Sequence, residues 1–348
     1  MGLLINGRWS TQDRTIKDGA YVRPKAPFAE AVPDHVIKGS ADEPGRDHLI
    51  ASLSCPWSHR LTLVRAIKGL NDLLPLRIAT GPRTQGYRMG SKTDPWHVPG
   101  TDAWIEHLHE LYTQTDPRIT ARATVPVLWD AVAKTIISNE SAQLLPALDL
   151  VEKDRDPYAD WTLAPNHLRD DMRALSEQVQ TRLSNAVYRA GKARRQDVYE
   201  AAVKDVFAML DALEDRLSRT RYLHGLAVTE TDLRLWPTLA RFDQVYVGHF
   251  KCAHKRLVDY PNLWSYARDI YGLPGVAETF DPAAIRHAYY NEDLDINPTG
   301  VVAVAPDLDW CLPHDRRRLG ARQVWMRNGQ CRPAAAREGA LQEGTGAT

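Results

Sequence analysis

The chain has 348 residues, 43% hydrophobic and 25% charged, the composition of a soluble globular protein long enough for two domains. Its 44 basic side chains balance 44 acidic ones, so no basic excess favours nucleic acid or an anionic membrane, and no apolar run reaches the length of a membrane span. Four scattered cysteines (Cys55, Cys252, Cys311 and Cys331) do not form the pattern of a disulfide framework, which favours a reducing, cytoplasmic compartment. The opening MGLLING lacks the basic region and cleavage site of a signal peptide, and Asn6 stands where a myristoylation pattern needs Ser or Thr. The sequon Asn139-Glu140-Ser141 falls in a folded segment and is read as chance.

In chain order, residues 1–44 show no sustained period and read as an extension wrapped on the body. A strand is predicted over 46–54, a helix over 56–69 that stops at Gly69, and a second strand over 74–79, which together make a βαβ start. Residues 80–103 are rich in Gly, Pro and polar groups and read as a loop. A short helix follows over 104–112, then strands over 124–130 and 135–138 forming a hairpin. A helix over 140–148 closes the half, and Pro146 is expected to kink or shorten it. After residue 156 the texture becomes helical, with amphipathic segments at 167–187, 196–217, 230–245 and 261–271. Thr229-Glu230-Thr231-Asp232 has the form of a capping box. The fold class expected is α+β: a first α/β domain over 45–155, an all-helical domain over 156–312, and a tail over 313–348 that is partly disordered.

The stretch SCPWSHR, residues 54–60, carries the clearest chemistry. A cysteine at a strand–helix junction followed by proline sits at the helix N-terminus, where free backbone N–H groups favour a thiolate. A cysteine is more often a buried filler than a nucleophile, but the helix start favours reactivity at Cys55. His59 and Arg60, one turn on, add positive potential if they face the thiol. Position 58 is Ser, so the thiol has no second cysteine at thioredoxin-like spacing, and a mixed disulfide at Cys55 needs an outside thiol to resolve it. By themselves, Val125-Pro126 reads as an edge or turn device, and Glu140-Ser141 as a helix start with an acidic first turn.

In order, strand, Cys-Pro-helix, strand, Val-Pro, strand and Glu-Ser-helix followed by helices resembles the glutathione transferase fold, with a thioredoxin-like first domain. The stretches SCPWSHR, TVPVLWD, IISNESAQLL, NAVYRAG, VYVGHFKC, DYPNLW, PGVAETF and INPTG, in that order, resemble the glutathionyl-hydroquinone reductases, the Xi class of that family. The resemblance runs from about residue 20 to about residue 315. It implies that Cys55 attacks the sulfur of a glutathionyl-hydroquinone, leaving a Cys–glutathione mixed disulfide that a second glutathione resolves. It further implies that tyrosines of the helical domain serve the leaving quinol, Tyr188 being one and Tyr289 or Tyr290 another; a phenol can donate the hydrogen bond or proton required. Glutathione, the co-substrate, would pair with the Val125 backbone beside a cis-Pro126. Its γ-glutamyl ammonium would meet Glu140, and the adjacent carboxylate would meet Ser141 at a helix N-terminus. Arg122 would take the glycine end, and Trp57 would shape the aromatic pocket. No metal is implied, and the family forms homodimers.

Three departures from the family pattern bear on substrate preference more than on chemistry: Tyr87 after Gly86 where the family has Trp, Asn291-Glu292 where it has Ser-His, and Pro146 in the Glu-Ser helix. Tyr87 is the residue available to pack near glutathione. His249, Cys252 and His254 are irregularly spaced for a metal site, and His107 and His109 are expected on different sides of a helix. Two other functions fit the same scaffold: a general thioltransferase or dehydroascorbate reductase using Cys55, and a non-catalytic ligand-binding protein.

Overall fold

The computed structural model describes residues 2–12, 15–33, 36, 43–81, 83, 85–151 and 160–334. The N-terminal extension, expected to be irregular, carries two hairpins: β1 (Leu3–Ile5) with β2 (Arg8–Ser10), and β3 (Ile16–Lys17) with β4 (Ala20–Tyr21). Each turns through a two-residue loop, Asn6-Gly7 and Asp18-Gly19, with all four residues at positive φ. Asn-Gly and Asp-Gly are the dipeptides that this tight turn selects, and they were visible in the sequence. Strand β1 is bound to the body through Leu4, whose N–H donates to the Ala121 carbonyl at 2.8 Å.

The first half is built on β5 (Asp47–Ala51), α1 (Pro56–Ile67) and β6 (Leu76–Ile78). It continues with β7 (Trp96–His97), β8 (Trp104–Ile105), α2 (Leu108–Thr115), β9 (Val127–Asp130), β10 (Thr135–Ser138) and α3 (Ser141–Leu150). The sheet order is β10-β9-β5-β6, with β5 parallel to β6 and antiparallel to β9. Alternation along the strands divides the core. Leu49 and Leu128 pack on one side with Leu61, Val64 and Leu144, while Ile50, Val127 and Trp129 pack on the other with Leu111 and Tyr112.

Two local expectations are corrected. The helix expected over 104–112 starts later, because residues 104–105 pair with β7 and Glu110 folds back to accept from the N–H of His107 at 2.8 Å. His107 is therefore outside the helix, and its ring stacks on His109 at 5.4 Å and 7° instead of pointing elsewhere. Pro146 lies inside α3, which continues to Leu150. The proline lacks the N–H that would bond the Ala142 carbonyl, and Arg234 donates to that oxygen instead at 3.1 Å.

The helical half comprises β11 (Trp161–Thr162), α4 (Arg169–Val179), α5 (Ala186–Gly191), α6 (Gln196–Arg219), α7 (Glu230–Arg241), α8 (Pro261–Tyr271) and α9 (Pro282–Tyr290). The segments expected as continuous over 167–187 and 230–245 are each interrupted, by π-helical turns at Gln180–Ser184 and Phe242–Tyr246. Helix α9 was not anticipated. Nor were β12 (Gln323–Met326) and β13 (Cys331–Pro333), which add to β11 as a three-stranded sheet. Buried Arg316 fastens this segment to the end of α6 by donating to the Leu217 and Arg221 carbonyls, each at 2.8 Å, and to that of Thr220. The expected domain boundary at 155–156 and the terminal stretch 340–348 lie outside the described residues.

The capping box at Thr229 is formed, and buried Asp232 does more than cap. Its carboxylate accepts from the Thr229 N–H and hydroxyl at 2.8 Å each, from the Leu223 N–H at 3.0 Å and from the Tyr266 hydroxyl at 2.9 Å. Asp232→Ala would leave these donors buried without an acceptor. It is expected to lower unfolding free energy by about 3 kcal/mol in urea denaturation; a loss below about 1 kcal/mol would mean that water replaces the carboxylate.

Candidate active site

Cys55 is the N-cap of α1, with Pro56 in the first turn, as the Cys-Pro junction requires. Its sulfur accepts from the Ser58 N–H at 3.4 Å and lies 3.5 Å from the Val125 carbonyl oxygen. The Val125-Pro126 bond is cis and brings that carbonyl to the thiol from the neighbouring strand connection. Cys55 is a free thiol with 8% of its surface exposed, at the floor of a cavity of about 330 Å³.

Most of the residues singled out in the sequence line this cavity: Cys55, Trp57, Tyr87, Arg122, Val125, Glu140, Tyr188 and Tyr289. Pro126, Ser141 and Tyr290 do not. Glu140 is the N-cap of α3 and accepts from the Ala142 N–H at 2.9 Å, with buried Ser141 following it. The two adjacent tyrosines separate because they sit on different sides of α9. The Tyr289 hydroxyl meets that of Tyr188 at 2.5 Å, whereas the Tyr290 ring packs on His249 with centroids 4.8 Å apart.

The phenols form a cluster. Tyr188 packs on Trp57 at 5.0 Å and on Tyr246 at 6.2 Å, and Tyr246 reaches Tyr289 at 6.1 Å. Burial, and then the neighbouring phenols Tyr246 and Tyr289, push Tyr188 well above the ordinary phenol value of 10.0. Burial also raises Tyr289, opposed by the charge of Arg241. Both therefore stay protonated at neutral pH. The sequence does not single out Tyr246, although it lies in VYVGHFKC; the π turn carries it into the cluster of phenols, and no helical period announces that turn.

Tyr87 is buried beneath the Arg83 guanidinium at 5.8 Å. Gly86 before it has φ +79°, and a Cβ there would stand 3.2 Å from the Trp9 ring, so both conformation and space require glycine. The departure at Asn291-Glu292 gains a use. Glu292 pairs with Arg83 at 3.5 Å and Asp293 with Lys192 at 3.0 Å, which fastens the turn after α9 across one side of the cavity.

His59 and Arg60 both turn away from the cavity into the helical half. Arg60 donates to the Arg234 carbonyl at 3.2 Å and to Ser184 Oγ at 3.3 Å, and burial lowers its guanidinium to about 9. Arg241, fully buried on α7, donates to the carbonyls of Leu53 at 2.6 Å, Ser54 at 3.0 Å and Pro237 at 2.9 Å, and to His59 Nδ1 at 3.0 Å. Because Arg241 can only donate, His59 Nδ1 is the acceptor and Nε2 carries the proton, directed at Thr279 Oγ1 2.9 Å away. Burial, reinforced by Arg241, holds the imidazole well below its usual 6.5, so His59 is neutral.

Family models for "Glutathione S-transferase, N-terminal domain" and "Glutathione S-transferase, C-terminal domain" match residues 54–150 and 196–269. The chain is 37% identical to the glutathionyl-hydroquinone reductase YqjG of Escherichia coli (strain K12), covering 91% of this chain and 98% of that protein. It belongs to the glutathionyl-hydroquinone reductases, the Xi class of the glutathione transferases. The glutathionyl-hydroquinone reductase PcpF of Sphingobium chlorophenolicum is also 37% identical, over 88% of this chain and 96% of that protein. The glutathione-bound structure of YqjG superposes with a TM-score of 0.74, covering 90% of this chain and 99% of that one. A Xi-class transferase from Natrialba magadii superposes at 0.78 with 33% identity, covering 92% and 97%. The α+β fold with a helical second half agrees with this membership. Among the described residues no helix is long and apolar enough to cross a membrane, and no group of three or more His, Cys, Asp or Glu side chains is placed to hold a metal ion.

A neutral His59 adds no charge to the thiol's surroundings. The rate of Cys55 alkylation by iodoacetamide between pH 5 and 7.5 should therefore contain no step near 6.5 attributable to a histidine. A step there that disappears in His59→Gln would show an imidazolium and reverse the assignment.

Proposed function

We propose that the protein reduces glutathionyl-hydroquinones to hydroquinones, as the names of its relatives YqjG and PcpF describe for those proteins. The observation that carries the proposal is the presence, in one cavity, of the helix-capping Cys55 thiol and the hydrogen-bonded phenols Tyr188 and Tyr289. Glutathione takes the side formed by Val125, Glu140, Arg122 and Tyr87, and the aromatic ring takes the side formed by Trp57 and the tyrosines. The Cys55 thiolate attacks the glutathionyl sulfur. The new S–S bond forms as the bond from that sulfur to the ring carbon breaks, and the electron pair passes to the ring, which takes up a proton. Tyr188, supported by Tyr289, is the donor of that proton, and Tyr246 packs both phenols in place. A second glutathione thiolate then displaces Cys55, releasing oxidised glutathione.

Tyr290, turned towards His249, has no part in this scheme. The raised phenols give the pH dependence its sign, because the protonated donor persists beyond the ordinary value of 10.0. Single-turnover quinol release should show no alkaline decline up to about pH 10. Cys55→Ser should abolish turnover. Tyr188→Phe should slow quinol release roughly 100-fold while leaving reduction of a simple glutathione mixed disulfide within a few-fold. Equal losses on both substrates would favour a general thioltransferase.

A further inference from the structure

The resolving step makes a demand that the first step does not. Once Cys55 carries a glutathionyl group, the next reactant is another tripeptide bearing two carboxylates and one ammonium, and it must approach through the space that the quinol has left. Among the cations that line the cavity, Arg83 and Lys192 are engaged with Glu292 and Asp293, and Arg122 lies beside Val125 and Thr124 on the side assigned to the first glutathione. Arg23 and Lys25 differ. Both are exposed, both line the same cavity, and neither has an ion-pair or hydrogen-bond partner among the described residues. They follow hairpin β3–β4, which is held against the helical half where the Arg194 N–H donates to the Gly19 carbonyl at 2.9 Å. The Arg23 guanidinium carbon lies 3.5 Å from the centre of the Trp57 ring, two residues beyond the nucleophile. Stacking engages the face of the guanidinium and leaves its N–H edge free for a carboxylate.

We propose that Arg23 and Lys25 recognise the carboxylates of the second, resolving glutathione and bring its thiolate to the Cys55 mixed disulfide. The assignment rests on the mixed-disulfide cycle proposed above, but not on the identity of the quinol. In the step concerned, the incoming glutathione, having lost its proton to solvent, forms an S–S bond with the glutathionyl sulfur. The bond from that sulfur to Cys55 Sγ breaks, and Cys55 leaves as the thiolate with the electron pair. The cations supply encounter and orientation, which for exposed charges at the rim act on the association rate and are screened by salt.

The test uses full-length protein carrying Arg23→Gln and Lys25→Gln together, with Cys55 glutathionylated beforehand by glutathione disulfide and the adduct confirmed by intact mass. Discharge of the adduct is followed with reduced glutathione and, separately, with the uncharged thiol 2-mercaptoethanol. The second-order rate with glutathione is expected to fall roughly tenfold, with a correspondingly weaker salt dependence. The rate with 2-mercaptoethanol, and the rate at which the mixed disulfide of glutathione and 2-mercaptoethanol loads Cys55, should stay within twofold, whereas loading by glutathione disulfide, the reverse of the discharge, should fall with it. Equal losses with both thiols would mean that the substitutions disturb the Cys55 environment, and unchanged rates with both would mean that the two cations are solvated surface. A comparable fall in loading by the mixed disulfide with 2-mercaptoethanol, which presents only one glutathione, would assign them to the first glutathione. Each of these results overturns the proposal. Failure of the wild-type protein to form an adduct would instead refute the proposed cycle, so the two failures are distinguishable.

Discussion

The buried Arg241 guanidinium is the interaction on which the rest of the site depends. A cation with no exposed surface is tolerated only where its donors are satisfied, and here they are matched by the carbonyls of Leu53, Ser54 and Pro237 and by His59 Nδ1. Two of those carbonyls immediately precede Cys55. The same residue thus fixes the backbone that presents Cys55, sets the tautomer of His59, and joins the α/β half to the helix that leads into the Tyr246 turn. Thiol and phenols come from opposite halves of the chain, and Arg241 fixes one relative to the other.

The cavity between those halves has a division of labour written in charge. Backbone polarity from the cis Val125-Pro126 connection and the capped start of α3 face one side. The opposite side is aromatic, with Trp57, Tyr188 and Tyr289, where desolvation keeps the phenols protonated. Ion pairs made by Glu292 and Asp293 hold the turn after α9 in place. That gives a physical role to a stretch whose sequence departs from the family pattern. The extension contributes a further wall of the cavity, with Arg23 and Lys25, which have no ion-pair partner among the described residues, so it is not only a wrapping.

How much of this was legible depended on the range of the interaction responsible. Cys55 at a helix start, the capping box at Thr229 and β5, α1, β6, β9, β10 and α3 follow from neighbours within a few residues, and the sequence carried them nearly to their bounds, whereas the short β7–β8 hairpin falls where a loop and a helix were expected. The hairpins at Asn6-Gly7 and Asp18-Gly19 were equally local and were overlooked, because the strands they join are only two or three residues long. Pro146 misled because the rule that proline breaks a helix assumes a carbonyl with no other donor, and Arg234 lies 92 positions away in sequence. The π turns at Gln180–Ser184 and Phe242–Tyr246 shift the helical phase without a local mark, which hid Tyr246.

The sequence by itself determined the class of fold, the place of Cys55 at a helix start, and the lack of a second cysteine at thioredoxin-like spacing, because capping, periodicity and cysteine spacing are properties of short stretches. Motif resemblance added glutathione and the family. Only the tertiary structure placed Tyr289 in the cavity and Tyr290 against His249, turned His59 and Arg60 away from the thiol, and gave Arg241 and Arg23 their places. Those choices are made by contacts across the interface between the two halves, between residues as far apart as Leu53 and Arg241. No local pattern encodes which side of a helix will meet a partner that the chain reaches only after folding.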